Sequence, residues 1–173
     1  MAPETIFQIH LVFGYIAWLL VFGAYVRPKL RSTGWVDAQR AIATLHSFRF
    51  FGLVFILPGV VGTLPGSFAR FAAYGDFATA LLAIVALLTA RIPSSFRVFV
   101  IAFNIAGIAD ILIDYYHATA AGLPLVAGQL GAAYAIPVLY VPLLMITHGI
   151  AFYLLLRPRR VTAPAFGAQT VTS

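Results

Sequence analysis

The chain has 173 residues, of which 62% are hydrophobic and only 9% charged, and its mean hydropathy is +0.97. A soluble domain of this length needs more polar surface than that composition supplies, and apolar segments running from near residue 5 to near residue 156 leave no room for a separate soluble domain. The net charge of +6 does not point to nucleic acid, because most basic residues flank apolar segments, where they act as topology signals. With no cysteine, disulfides, thiolate metal sites, cysteine-held iron-sulfur clusters and c-type haem attachment are excluded.

The pattern predicts an all-α integral membrane bundle of five transmembrane helices over residues 1–160, N-terminus outside and C-terminus inside, with a disordered tail over 161–173. The first span, about residues 5–26, is followed by Arg27, Lys29 and Arg31 and preceded by no basic residue, the reverse of a cleavable signal peptide. It carries His10 near its outer end and Gly14, Ala17 and Ala24 as a small-residue packing stripe. A basic loop, Arg27 to Arg40, with Trp35 as an interfacial anchor, leads to a second span over about Ala41–Thr63. That span places His46 and Arg49 on one face with Gly52 and Gly59, and Pro58 should bend its outer half.

Leu64 to Ser67 reads as a turn, and the third span, about Phe71–Ala90, is nearly featureless, with Tyr74 and Asp76 at its outer end. A short basic loop, Arg91 to Arg97, precedes the most informative stretch, Val98 to His117. Read as a helix, it aligns Asn104, Gly107, Asp110, Asp114 and His117 in one stripe on an otherwise apolar segment. Carboxylates so placed are costly in lipid and should face protein or a watery cavity. An uncharged outer loop, Ala118 to Gly131, leads to a fifth span over about Ala132–Leu156, where Pro137 and Pro142 suggest a bent helix. Arg157, Arg159 and Arg160 close the domain on the inside, so the basic loops agree with one orientation apart from Arg70.

Helix rise places His46, Arg49, Asn104 and His148 in one inner layer, and His10, Asp110, Asp114 and His117 in an outer one. Three chemistries fit these residues. Two histidines on separate helices can ligate a haem b from both faces, with His46, Arg49, Asn104 and His148 as the cofactor-binding set. The plainer alternative makes His46 and His148 interhelical glue to Asn104, Thr147 or backbone. Asp110, Asp114 and His148 can instead carry acid–base catalysis on a lipid-soluble substrate, or proton or solute transport. The corresponding plain alternative is an ion pair of Asp110 or Asp114 with Arg49. Asp114-x-x-His117 with His10 is a candidate metal site. The functional lead is a haem-linked redox or electron-transfer protein of the cell membrane, the inner membrane in a Gram-negative cell. Its expected partners are the lipid bilayer, a lipid-soluble small molecule, and either further copies of the chain or partner membrane subunits.

Overall fold

A computed structural model describes residues 1–30 and 32–157, which are mainly helical with no strand among the described residues. Helix α1 spans Pro3–Leu30 and includes a π turn at Phe22–Val26. Helix α2, Trp35–Ser47, passes directly into a 3₁₀ segment, Phe48–Ile56. Helices α3, Gly66–Leu88, and α4, Pro93–Ala120, follow. A run of 3₁₀ turns over Leu123–Tyr134 then leads into α5, Ile136–Leu156, which opens on a π turn at Ile136–Tyr140. Helices α1, α3, α4 and α5 are each long and apolar enough to cross a membrane.

Several boundaries differ from the sequence expectation. The second apolar segment is not one α-helix bent at Pro58: it tightens to 3₁₀ at Phe48 and ends at Leu57, whose backbone is extended. The chain then turns through Gly59 at φ 82°, a left-handed conformation that favours glycine. Helix α3 begins at Gly66 rather than near Phe71, because Pro65 cannot continue a helix behind it and serves as its N-cap. The loop expected over Ala118–Gly131 is largely helical turn. Gln129 ties it to the turn after the 3₁₀ segment, its carbonyl accepting from Gly62 N–H at 2.7 Å and its side chain from Thr63 N–H at 3.2 Å. Arg31, Arg159, Arg160 and the tail expected to be disordered lie outside the described residues.

Large apolar side chains cover the outside of the bundle, while small ones line its tightest interface. Helix α3 buries Ala69, Ala72, Ala73, Asp76, Thr79, Ala80, Ala83 and Ala86, a stripe at helical spacing, and exposes Phe71, Tyr74, Leu81 and Leu88. Small side chains let α4 and the 3₁₀ segment, its two most extensive neighbours, approach closely. The apparent lack of features in this span is therefore the signature of an Ala-lined interface whose other face is also apolar. Two apolar clusters result. One joins Ile42, Ala83, Phe96, Val100 and Ile150 at the end bearing Arg40, Arg91 and Arg97. The other joins Phe7, Phe55, Phe68, Leu123 and Leu130 at the opposite end.

Helix α1 packs chiefly against α5 and the 3₁₀ turns before it. Pro142 has no N–H to give Val138, and the Val138 carbonyl lies against Gly14, where a Cβ would collide with its oxygen. Trp18 Nε1 donates to the Leu139 carbonyl at 2.9 Å. Gly14→Val is accordingly expected to cost about 1–3 kcal/mol through overpacking, measured by equilibrium unfolding in mixed micelles, whereas Gly23→Val, which meets open space, should cost less.

Candidate functional site

Between the two apolar clusters, four helical stretches bring their polar side chains to one point. Arg49 is its centre and is 1% exposed. The 3₁₀ repeat of three residues per turn carries Arg49, Gly52 and Phe55 along one face, and these are the three buried residues of the segment. An α-helical repeat would have drifted off that line. The junction is held by Tyr140, whose hydroxyl donates to the Leu45 carbonyl at 3.0 Å.

The guanidinium uses its whole fork. Nε donates to Asp76 Oδ1 at 2.6 Å, and Nη2 donates to Asp110 Oδ2. Nη1 reaches the Gly107 carbonyl and His148 Nε2, each at 3.3 Å. His148 Nδ1 meets Asn104 Oδ1 at 2.8 Å while Asn104 Nδ2 donates to the Val100 carbonyl at 2.7 Å. Because the amide oxygen only accepts, His148 carries its proton on Nδ1 and offers Nε2 to the guanidinium. A continuous polar chain thus runs from Asn104 through His148 to Arg49 and its two carboxylates.

Three glycines on three elements make this possible. A Cβ at Gly107 would lie 2.6 Å from His148 Cε1 and 2.7 Å from Arg49 Nη1. One at Gly52 would strike the Asp76 side chain, and one at Gly75 the Asp110 carboxylate. Burying an ion pair is favourable only when its geometry is close and its donors and acceptors find partners, and close approach of the backbones brings these groups within hydrogen-bonding reach.

His46 is fully buried beside this chain. Its ring packs on that of His148 with centroids 4.1 Å apart and planes inclined 44°. Thr147 Oγ1 spends its hydrogen on the Leu143 and Leu144 carbonyls, so His46 Nε2, 3.0 Å away, is the donor to it. His46 Nδ1 is buried with no hydrogen-bond partner. The two imidazoles proposed to clasp a haem b therefore touch each other. As packed they leave no gap for a porphyrin between them, and axial ligation would need the rings to part and His148 to surrender Asn104 or Arg49. The interhelical contacts to Thr147 and Asn104 are what these histidines form.

The two expected layers are redistributed. Asp110, assigned to the outer layer, joins the inner one through Arg49. Asp76, read as the outer end of a scaffold helix, lies ten residues beyond Gly66 and completes the centre. With the span beginning at Phe71, Asp76 falls near its end; with the helix beginning at Gly66, it falls well inside. The signal that could have found it is a lone carboxylate midway along an Ala-rich apolar helix. His10, Asp114 and His117 do not assemble. His10 Nδ1 pairs with Tyr134 at 2.9 Å, His117 stacks on Phe71 with centroids 4.4 Å apart, and no group of three potential metal ligands forms among the described residues.

Asp114, one turn beyond Asp110, has no place in the Arg49 fork, and its Oδ1 is buried without a partner. It lines a cavity of about 260 Å³ together with Asp76, Phe7, Phe55, Phe68 and Tyr115. Apart from the carboxylates the walls are mainly apolar. Tyr115, whose hydroxyl lies 2.8 Å from that of Tyr15, belongs to the wall between α1 and α4. The centre and the cavity share Asp76, which lines the cavity and pairs with the guanidinium.

The fold and this site define a class: among the described residues, a helical protein with four helices long and apolar enough to cross a membrane and a buried arginine–carboxylate centre beside a mainly apolar cavity. Residues 6–156 match a family described as a domain of unknown function (DUF8737), and the chain belongs to that family. No curated protein and no solved structure matches it.

Proposed function

We propose that this is a five-span protein of the cell membrane, N-terminus outside and C-terminus inside, that takes a lipid-soluble small molecule into its cavity and exchanges a proton with it at Asp114. The observation that carries this reading is the buried, unpartnered Oδ1 of Asp114 in an otherwise apolar cavity. A carboxyl group so placed has a hydrogen-bonding position that no protein group fills. One guanidinium balances one carboxylate, whereas Asp76, Asp110 and Asp114 are three, so two carboxylates are in excess of the cation and the interior calls for positive charge that protons, one of them on Asp114, can supply. Asp76 and Asp110 hold Arg49, His148 extends the network towards α5, and Asp114 is the group that meets the ligand. A haem b held by His46 and His148 would need their rings, now in contact, to separate.

The span to be added to α1, α3, α4 and α5 is α2 with its 3₁₀ continuation: 13 α-helical and 9 3₁₀ residues give a length of about 38 Å, more than the ~30 Å hydrocarbon core. The orientation rests on Arg27, Lys29, Arg40, Arg91, Arg97 and Arg157 at one end of the bundle against Arg70 at the other. Because the chain has no cysteine, single cysteines report topology cleanly. Ser67→Cys should react with an impermeant maleimide on intact cells and Ser94→Cys only after permeabilisation; the reverse pattern sinks the orientation.

Infrared spectroscopy tests the proton site. The protein in detergent should show the carbonyl stretch of a protonated carboxylic acid, shifted by adding 1-octanol as a lipid-soluble hydroxyl probe and missing in Asp114→Asn. An alcohol-sensitive band that survives that substitution, or a spectrum indifferent to the alcohol, removes the reading.

A further inference from the structure

We infer that the basic end of the groove between α1 and α5 is a binding site for one anionic phospholipid, its phosphate held by Arg27 and Arg157 and an acyl chain lying between the helices. The inference relies on the membrane insertion proposed above and is independent of the proton site.

The groove follows from how α1 is attached. Helices α1 and α5 run in the same direction, and Gly14 and Trp18 pin α1 to the first turns of α5 at Val138 and Leu139. Packing between the two helices continues after Val141, and the interface is not filled at its basic end. Between them lies an open cavity of about 600 Å³, walled by Phe22, Ile146, Ile150 and Tyr153, with Arg27 and Arg157 among its lining residues. A Cβ at Gly149, also in that wall, would meet nothing within 4 Å, so there is unfilled volume beside α5.

The walls and the rim differ in chemistry as a phospholipid does. From Ile146 to Arg157 is 11 residues, or roughly 16 Å of helix, a length of apolar groove that suits acyl methylenes. Arg27 and Arg157 are exposed, and neither has a carboxylate partner among the described residues. Both lie at the end of the bundle that the basic residues assign to the cytoplasmic interface, where headgroup phosphates are found. A guanidinium matches phosphate in bidentate fashion, and Tyr153 adds an amphipathic ring of the kind enriched at that level. Basic residues at the mouth of an apolar interhelical groove are the physical requirement for retaining an anionic rather than a zwitterionic lipid.

The test is lipid competition on the purified full chain, using native mass spectrometry in detergent with phosphatidylglycerol and phosphatidylcholine at equal concentration. The wild type should retain phosphatidylglycerol preferentially. Arg27→Gln with Arg157→Gln should reduce that preference roughly thirty-fold, as expected for two charges near the surface. Gly149→Leu, which fills the groove and leaves both arginines, should lower retention of either lipid. The infrared band of Asp114 should be unchanged in all three proteins, which separates failure of this site from failure of the proton site. An unchanged preference in the double variant overturns the inference. So does a wild type that retains both lipids equally, or a Gly149→Leu protein whose altered property is its oligomeric state, since the groove would then receive a second copy of the chain.

Discussion

Arg49→Gln is expected to destabilise the protein by about 3–5 kcal/mol, the largest effect of any single substitution in the bundle. Removing the guanidinium leaves Asp76 and Asp110 buried and facing each other with no cation between them, and an uncompensated buried charge costs far more than an intact pair contributes. The Gly107 carbonyl and His148 Nε2 lose their donor as well. Arg49→Lys should recover only part of the loss, because an ammonium cannot reproduce a planar fork that serves two carboxylates, a carbonyl and an imidazole. The informative control is the triple variant Arg49→Gln, Asp76→Asn, Asp110→Asn. If uncompensated charge is the cause, the triple variant regains most of the stability in equilibrium unfolding in mixed micelles. A single Arg49→Gln variant as stable as the wild type would falsify the central role of this ion pair.

Asp114→Leu should have the opposite sign and stabilise the protein by about 1–3 kcal/mol. Asp114 is outside the Arg49 fork, its buried Oδ1 has no partner, and the cavity beside it is walled by Phe7, Phe55 and Phe68. Removing an unsatisfied polar group from such a place relieves a cost that nothing in the fold requires. A site that is destabilising in isolation and improved by an apolar residue is the signature of a group kept for its chemistry. The same unfolding experiment reads the result, with Asp110→Leu as the contrast that should lower stability. If Asp114→Leu is as damaging as Asp110→Leu, Asp114 belongs to the structural network and the proton site is lost with it.

Asp110 and Asp114 lie one helical turn apart on α4. They share a stripe in the sequence, and it is their neighbours that separate them. Asp110 stands where Gly75 lets α3 come close and where the 3₁₀ segment delivers a guanidinium. Asp114 stands one turn further, where the walls open into the cavity.

The sequence by itself determined the apolar helices, the basic residues at one end and the presence of ionisable groups that must turn away from lipid. Each of these follows from transfer energies, which act on a residue whatever its neighbours are. Arg49, Asn104, Asp110 and His148 were therefore recognisable as members of an interior site, and Gly52 and Gly107 as small residues beside it. Tertiary structure alone decided who meets whom. Asp76 became central because α3 starts at Gly66, a boundary set by the turn before it. The 3₁₀ winding after Ser47 put Phe55, rather than a residue on an α-helical stripe, in line with Arg49. His46 and His148 came into ring contact, and His10, Asp114 and His117 stayed apart, because the depth of a residue along its helix says nothing about which way it faces. Hydrogen bonds and ion pairs act over about 3 Å, and a rotation of one helix by a fraction of a turn makes or breaks them while leaving its burial in the membrane unchanged.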